Sequence, residues 1–225
     1  MIKCNKIIKI IKRHFKNIDN NFIDELCRLL KLYSNTLFKD ENQLAIFLAN
    51  MLSEIDVKKN GKVRIWENLN YSCSRALKIP GWESRLNRYK KSVWCKPNGR
   101  VYKRQLANIV YSNRLGNGGY LTGDGYRYRG YGIFQVTGKY NYQQLFKWIK
   151  KYFNIDLEFL NQHPELTNEV LNNYTMAILS GLAYWKANLA HIDNIDKSID
   201  IINKYTDSRK KRKKLYNKIL RTLYA

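Results

Sequence analysis

Apolar residues recur at helical spacing near the start of the chain. Between residues 5 and 35 they occupy the positions that one or two amphipathic helices would bury, and Asn20 or Asn21 is suited to separate the two: Ile7, Ile8, Ile11, Phe15, Phe22, Leu26, Leu29 and Leu30. The pattern predicts a helical scaffold. A membrane-surface role for the basic first helix is the alternative.

The next helix has a sharper signature. Asp40 is a suitable N-cap, and Gln43 three residues later completes a capping-box pattern. A buried stripe follows at helical spacing: Leu44, Phe47, Leu48, Met51, Leu52 and Ile55. Glu54 lies on the flank of this stripe at the helix end. Its carboxyl group is either solvated, or partly desolvated by apolar neighbours, which would keep a proton on it near neutral pH.

Further elements follow from the same spacing. Residues 58–62 have the composition of an exposed turn, and residues 73–105 predict a short helix, a turn at 80–81 and a basic surface segment. Residues 143–152 and 193–205 predict helices, and 168–190 predicts the central helix of the core. Gly181 inside that helix indicates close helix packing.

Residues 108–142 carry eight of the twelve glycines, with aromatic and basic residues between them. Glycine allows tight turns and close approach of a ligand, and flat rings with polar side chains suit a cleft for an extended polar polymer. A glycine-rich surface loop with a β-hairpin explains the same composition. Both interpretations stay open on composition alone.

The charge narrows the choice of partners only partly. The 225 residues contain 41 basic and 18 acidic side chains, a net charge of +23, which favours attraction to a polyanion. Nucleic acid, anionic lipid and anionic cell-wall polymer all qualify. The six consecutive cations at 209–214 are typical of a solvated helical face, and an electrostatic contact with a polyanion is the alternative. However, the basic residues are scattered and no nucleic-acid-binding motif appears, so nucleic acid is not favoured.

The chain has no internal repeat or linker, which predicts one domain. No apolar run approaches the roughly 20 residues of a membrane span, and lysines interrupt the N-terminal apolar residues, so we expect no transmembrane segment and no signal peptide. No zinc pattern is visible, and we expect no metal or cofactor, because the cysteines and histidines are widely scattered: Cys4, Cys27, Cys73, Cys95, His14, His163 and His191.

A hydrolase that uses paired carboxylates has few to draw on in the centre of the chain: Glu54, Asp56, Glu67, Glu83 and Asp124. Glu67 stands in a polar run, where a carboxylate can stay ionised. The segments FLANMLSE, ENLNYS, NRLGNGGYLTGDGYRYRGYGIFQVTGKYNY, AYWKANL and IIN, in this order, resemble the catalytic domain of glycoside hydrolase family 19, in its phage endolysin and bacterial chitinase-like branch.

The resemblance runs from about residue 40 to the C-terminus, and residues 1–39 fit a helical lead-in, so we expect residues 1–225 to form a single catalytic domain. It implies a mainly α, two-lobed lysozyme-like fold with a small β-hairpin and loop region lining the cleft. It also implies cleavage of β-1,4 bonds next to N-acetylglucosamine with inversion. Peptidoglycan is favoured over chitin, because a basic chain without a leader suits an endolysin.

Such a protein would be made in the cytoplasm, released through a holin-type pore and active on the cell wall, and we expect a monomer. The family motifs assign roles to single residues. Glu54 matches the general acid, Glu67 the second catalytic carboxylate and Thr137 the residue that holds the attacking water. The remaining matches contact substrate or line the cleft: Gln135, Tyr140, Asn141, Asn203 and Arg212.

The chain departs from the family pattern at several positions. Ser53 replaces the histidine before the acid, Tyr131 replaces an arginine, and Asn203 is not followed by two glycines. The spacing to Glu67 is longer than in endolysins, which leaves Glu83 as a second candidate base. These departures keep open a catalytically weak or dead wall-binding protein.

Overall fold

The computed structural model describes residues 4–204 and 206–225, and it is mainly helical. The helices in these residues are α1 (Cys4–His14), α2 (Asn20–Leu37), α3 (Glu41–Glu54), α4 (Cys73–Leu77), α5 (Glu83–Leu86), α6 (Lys91–Trp94), α7 (Lys103–Val110), α8 (Asp124–Arg127), α9 (Lys139–Phe153), α10 (Thr167–Val170), α11 (Tyr174–Asn188), α12 (Ile195–Asn203) and α13 (Arg209–Tyr224). Short 3₁₀ helices cover Tyr120–Thr122, Glu158–Asn161 and Pro164–Leu166.

The N-terminal scaffold is confirmed as two helices. The residue that separates them is Asp19, whose carboxylate accepts from the Asn21 backbone N–H at 3.0 Å and caps α2. The predicted cap of α3 is also confirmed, since Asp40 accepts from the Gln43 N–H at 2.9 Å. The Gln43 side chain accepts from the Lys39 N–H, one residue before the position that a capping box would use.

The prediction of one continuous helix at 168–190 was wrong. The segment is divided into α10 and α11, because the Asn173 side chain accepts from the Met176 N–H at 2.8 Å and caps a new helix there. Gly181 does mark a close approach: a Cβ atom there would lie 2.8 Å from Ile133 Cβ. The partner is the glycine-rich segment and not another helix.

The other helix boundaries shift by a few residues. The helix predicted at 143–152 begins earlier, at Lys139. The one predicted at 193–205 is α12, and Tyr205 lies outside the described residues. None of the helices in the described ranges is long and apolar enough to cross a membrane.

The helices form two hydrophobic cores, which confirms the two-lobed, mainly α fold. The larger core combines α1–α3 with α9, α11–α13 and residues 128–136; α13 packs on α3, and α11 packs on α2 and α9. The smaller core is built from residues 69–110. A disulfide within it joins Cys73 to Cys95, 22 positions apart, and closing such a loop typically stabilises a fold by about 3 kcal/mol.

A short hairpin leads the chain from the larger core to the smaller one. Strands β1 (Asp56–Val57) and β2 (Val63–Arg64) are antiparallel, and the predicted turn at 58–62 connects them. The residues after β2 reach the glycine-rich stretch, where Trp66 and Tyr131 form an isolated bridge. In the described residues that stretch contains isolated bridges and short helical turns, and no hairpin of named strands.

Candidate active site

Glu67 lies where the chain passes between the two cores, and both sides hold its carboxylate. From the smaller core's side, the Tyr111 hydroxyl donates to Oε1 at 2.8 Å. From the glycine-rich segment, the Gly130 N–H donates to Oε2 at 3.3 Å, while the Glu67 N–H donates back to the Gly130 carbonyl at 2.7 Å. The carboxylate is therefore fixed at both oxygens.

Burial raises the pKa of Glu67 above its ordinary value. The hydrogen bonds from Tyr111 and Gly130, and the positive charge of Arg129, act in the opposite direction because they favour the ionised form. The carboxylate is thus more enclosed than its polar sequence context predicted. It combines a higher affinity for a proton with donors that stabilise the charge, which suits a group that must accept a proton.

Arg129 is the charged neighbour that sequence reasoning missed. Its guanidinium carbon lies 4.2 Å from the ring centroids of both Trp66 and Tyr126, so the group is stacked between two rings. It also donates to the Tyr126 carbonyl at 2.7 Å and to Asn168 Oδ1 at 3.0 Å. These contacts hold a buried cation in one position. A basic residue among aromatic ones next to Gly130 was the available signal.

Gly130 brings Glu67 together with two predicted site residues. A Cβ atom at Gly130 would lie 3.2 Å from Glu67 Cβ, 2.8 Å from Gln135 Oε1 and 3.4 Å from Thr137 Oγ1. These three side chains therefore surround one point that only glycine leaves open.

The loop of Thr137 is held by hydrogen bonds along its own segment. The Thr137 hydroxyl donates to the Gln135 carbonyl at 2.8 Å, and the Asn141 amide donates to the Thr137 carbonyl at 2.8 Å. Gln135 has φ +50°, a conformation that is uncommon outside glycine and often found at functional sites. Since the Thr137 hydroxyl donates inside the loop, it offers lone pairs to a bound water.

Glu54 ends α3, as predicted, but its environment matches neither of the two expectations, a solvated carboxyl group or an apolar flank. Its Oε1 forms an ion pair with Arg212, whose side chain is only 2 % exposed. Arg212 also donates to Ser208 Oγ at 2.8 Å and to Asn50 Oδ1 at 3.2 Å. Arg212 thus holds the Glu54 carboxylate, and it has almost no surface left for the predicted contact with substrate, which stays a prediction.

Two departures from the family pattern have structural roles here. The Ser53 hydroxyl donates to the Ala49 carbonyl of its own helix at 2.8 Å. Tyr131 is fully buried, and its hydroxyl donates to the Leu171 carbonyl at 2.8 Å. The remaining predicted positions, Tyr140 and Asn203, are exposed, and so is the alternative base Glu83.

A separate link places Glu54 near the glycine-rich segment. The charge of Glu54 contributes to raising the pKa of Tyr184, although burial is the larger cause. The Tyr184 ring packs against Phe134, the neighbour of Gln135, with centroids 5.5 Å apart.

In the described part of the chain, no three histidine, cysteine or acidic side chains lie together as a metal site would need.

Comparison with known proteins supports one family. No model of a protein family matches the chain. The chain is, however, 33 % identical over 184 residues to a protein of Haemophilus influenzae named "Glycosyl hydrolase family 19 domain-containing protein", and the match covers 80 % of each sequence. The match covers most of both sequences, and on this basis the chain belongs to glycosyl hydrolase family 19.

Proposed function

We propose that the protein is an inverting glycoside hydrolase that cleaves β-1,4 bonds of an N-acetylglucosamine-containing wall polymer, with peptidoglycan as its substrate. The observation that carries the proposal is the Glu67 carboxylate, held at both oxygens and sharing the space around Gly130 with Thr137. Membership of family 19 supports the reaction class.

In this mechanism, Glu67 and Thr137 position the attacking water. The water donates one hydrogen to Glu67 and the other to a lone pair of Thr137 Oγ1, so that its own lone pair faces the anomeric carbon. Inverting enzymes need room for this water, and their two carboxyl groups are typically roughly 6.5–9.5 Å apart. As the water adds, its proton passes to Glu67.

Glu54 acts as the general acid. Arg212 holds Oε1, which leaves Oε2 to carry the proton that passes to the glycosidic oxygen as the bond to the anomeric carbon breaks. The buried guanidinium orients the acid without touching the sugar. Glu83 is less suitable as the base because it is exposed on α5, whereas the Tyr111 hydroxyl holds the Glu67 carboxylate.

The substrate preference follows from charge. A net charge of +23 attracts an anionic wall more strongly than neutral chitin. We propose that the protein acts on the wall after release from the cytoplasm. The test is to compare turbidity loss of purified sacculi with hydrolysis of chitin oligomers, and to identify the new reducing-end sugar by mass spectrometry and its anomer by NMR.

We expect faster cleavage of sacculi and initial formation of the α-anomer. Absence of new reducing ends from both substrates would overturn the proposal. Sedimentation of the unreactive protein with sacculi would then identify a wall-binding protein, and a salt-dependent gel shift would identify nucleic acid as the partner.

The Tyr111→Phe variant should shift the acidic limb of the pH–rate profile to higher pH by about one unit. Its hydroxyl donates to Glu67, and hydrogen bonds to charged groups contribute about 1.5–3 kcal/mol, where one pKa unit is 1.36 kcal/mol. Without this donor the pKa of Glu67, already raised by burial, rises further, so activity is lost earlier as the pH falls. At higher pH the carboxylate is ionised and the rate recovers.

The control is Tyr126→Phe, which removes another hydroxyl of the site but keeps the ring that stacks on Arg129. The acidic limb of the pH–rate profile of Tyr126→Phe should lie at the same pH as in the wild-type protein. A uniform loss of activity in Tyr111→Phe at every pH would show that Tyr111 serves packing and not the ionisation of Glu67.

A further inference from the structure

A groove of about 400 Å³ lies beside Glu67, and its lining is strongly basic. Residues of the hairpin, the segment around Glu67 and the start of α7 line it, together with side chains from α8 and the turn before α11. Five of the lining residues are cations: Lys58, Lys62, Arg64, Lys103 and Arg129. Glu67 is the one carboxylate among the lining residues that the structure describes.

Two of the five cations already have partners. Arg64 forms an ion pair with Asp56 at 2.7 Å, and Arg129 is stacked between its two rings. The other three, Lys58, Lys62 and Lys103, are exposed, and within residues 4–204 and 206–225 no carboxylate pairs with them. The groove therefore has a positive charge that the described protein does not neutralise.

The hairpin fixes the spacing of two of these lysines. The Lys58 N–H donates to the Lys62 carbonyl at 3.0 Å, so the two residues face each other across the closed turn. Lys103 begins α7 in the smaller core. The three unpaired lysines thus reach the groove from two elements, the turn of the hairpin and the start of α7.

Two aromatic residues of the groove, Trp66 and Tyr126, already have one ring face occupied. The guanidinium of Arg129 covers one face each of Trp66 and Tyr126, and the Trp66 indole N–H donates to Asn172 Oδ1 at 3.2 Å. A neutral sugar ring cannot stack on the ring faces that Arg129 covers. A negatively charged group can pair with the unpaired ammonium groups of the lysines.

We propose that this groove binds the carboxylate-bearing branch of a muramic-acid-containing glycan while the sugar chain passes Glu67. The inference rests on the proposed glycosidase function and assigns the groove to one part of the proposed substrate, its acidic branch. Chitin carries neutral acetamido groups at every sugar and gains nothing from the three lysines. An acidic lactyl-peptide branch gains charge pairing in a groove that is already ordered around Arg129.

The test is a triple variant, Lys58→Gln, Lys62→Gln and Lys103→Gln, assayed on two soluble substrates at physiological ionic strength. These are a peptidoglycan fragment of two disaccharide repeats with its peptides, and chitotetraose. We expect kcat/KM on the peptidoglycan fragment to fall about tenfold, because each partly exposed charge pair contributes modestly, with no change on chitotetraose.

The matched control removes three lysines from the outer face of α13, by Lys210→Gln, Lys211→Gln and Lys214→Gln, all of which are exposed. It has the same net charge as the groove variant, and its kcat/KM on both soluble substrates should stay within about twofold of wild type. Equal losses in the two triple variants would show a general charge effect and overturn the groove assignment.

A binding measurement separates this inference from the proposed activity. Calorimetry with the Glu54→Gln protein should show tighter binding of the acidic fragment than of the same fragment with its carboxylates amidated, and the groove substitutions should remove the difference. If the wild-type protein cleaves neither substrate but shows this binding pattern, the proposed glycosidase activity is rejected and the proposed binding of the acidic branch in the groove is kept. Equal binding of the acidic and amidated fragments overturns the groove.

Discussion

Replacing Glu67 by glutamine is expected to reduce release of reducing ends from sacculi by about a hundredfold to ten-thousandfold, the usual contribution of general acid–base catalysis. The amide keeps the shape of the side chain: its oxygen can accept from the Gly130 N–H while its NH2 group donates to the Tyr111 hydroxyl oxygen, so the surroundings stay in place. It cannot take a proton from water. Initial rates and the melting temperature of the same preparation give the measurement.

The control is Glu83→Gln, which changes the other candidate base on the exposed side of α5. It should retain nearly full activity, while Glu54→Gln should lose activity as Glu67→Gln does. Full activity in Glu67→Gln together with loss in Glu83→Gln would transfer the role of base to Glu83. A melting temperature within a few degrees of wild type excludes unfolding as the cause.

The Arg212→Met variant should lower the free energy of unfolding by about 3 kcal/mol. Methionine keeps much of the volume, but the change leaves Glu54 and Asn50 without the donor that joins them beneath α13. Removing one partner of an enclosed ion pair typically costs about 3–5 kcal/mol, and the 19 % exposure of the Glu54 side chain lowers the expected value within that range. Urea unfolding at neutral pH measures it.

Arg209→Met is the comparison, since it lies three residues earlier on the same helix and pairs with Asp196 and Asp200 at the surface. The stability that it loses should be clearly smaller than in Arg212→Met, as for other exposed pairs. The double variant Arg212→Met with Glu54→Gln should recover part of the stability, because it removes the unpaired charge as well. Equal losses in the two single variants would contradict a special role for Arg212.

Helical periodicity predicted much of the scaffold, because a buried stripe repeats over neighbouring residues. The cap at Asp40 and the packing of α1, α2 and α3 follow from such local patterns. The division at 171–173 was missed, since the apolar spacing continues through it and the Asn173 side chain, not hydrophobicity, ends one helix and begins the next.

The candidate site was only partly predictable for a related reason. Family motifs singled out Glu54, Glu67 and Thr137, but they assigned Arg212 to the substrate and gave no role to Tyr111. Glu54 meets Arg212 across 158 positions of sequence, and Glu67 meets Tyr111 across 44. No periodic signal encodes such pairs, because they depend on how whole helices pack. Gly130 is a local signal for the site, because only glycine leaves space there for the side chains of Glu67, Gln135 and Thr137.

The two donors on Glu67 have a consequence for how the two cores are held together. Tyr111 belongs to the side of the smaller core and Gly130 to that of the larger one, so a widening of the gap between them would lengthen one of the two hydrogen bonds. The carboxylate would lose a donor that favours its ionised form, but it would also lose part of the burial that raises its pKa, so these two effects on the pKa of Glu67 would oppose each other. One side chain therefore links the two cores, and a residue without acceptor atoms at position 67 would remove both hydrogen bonds at once.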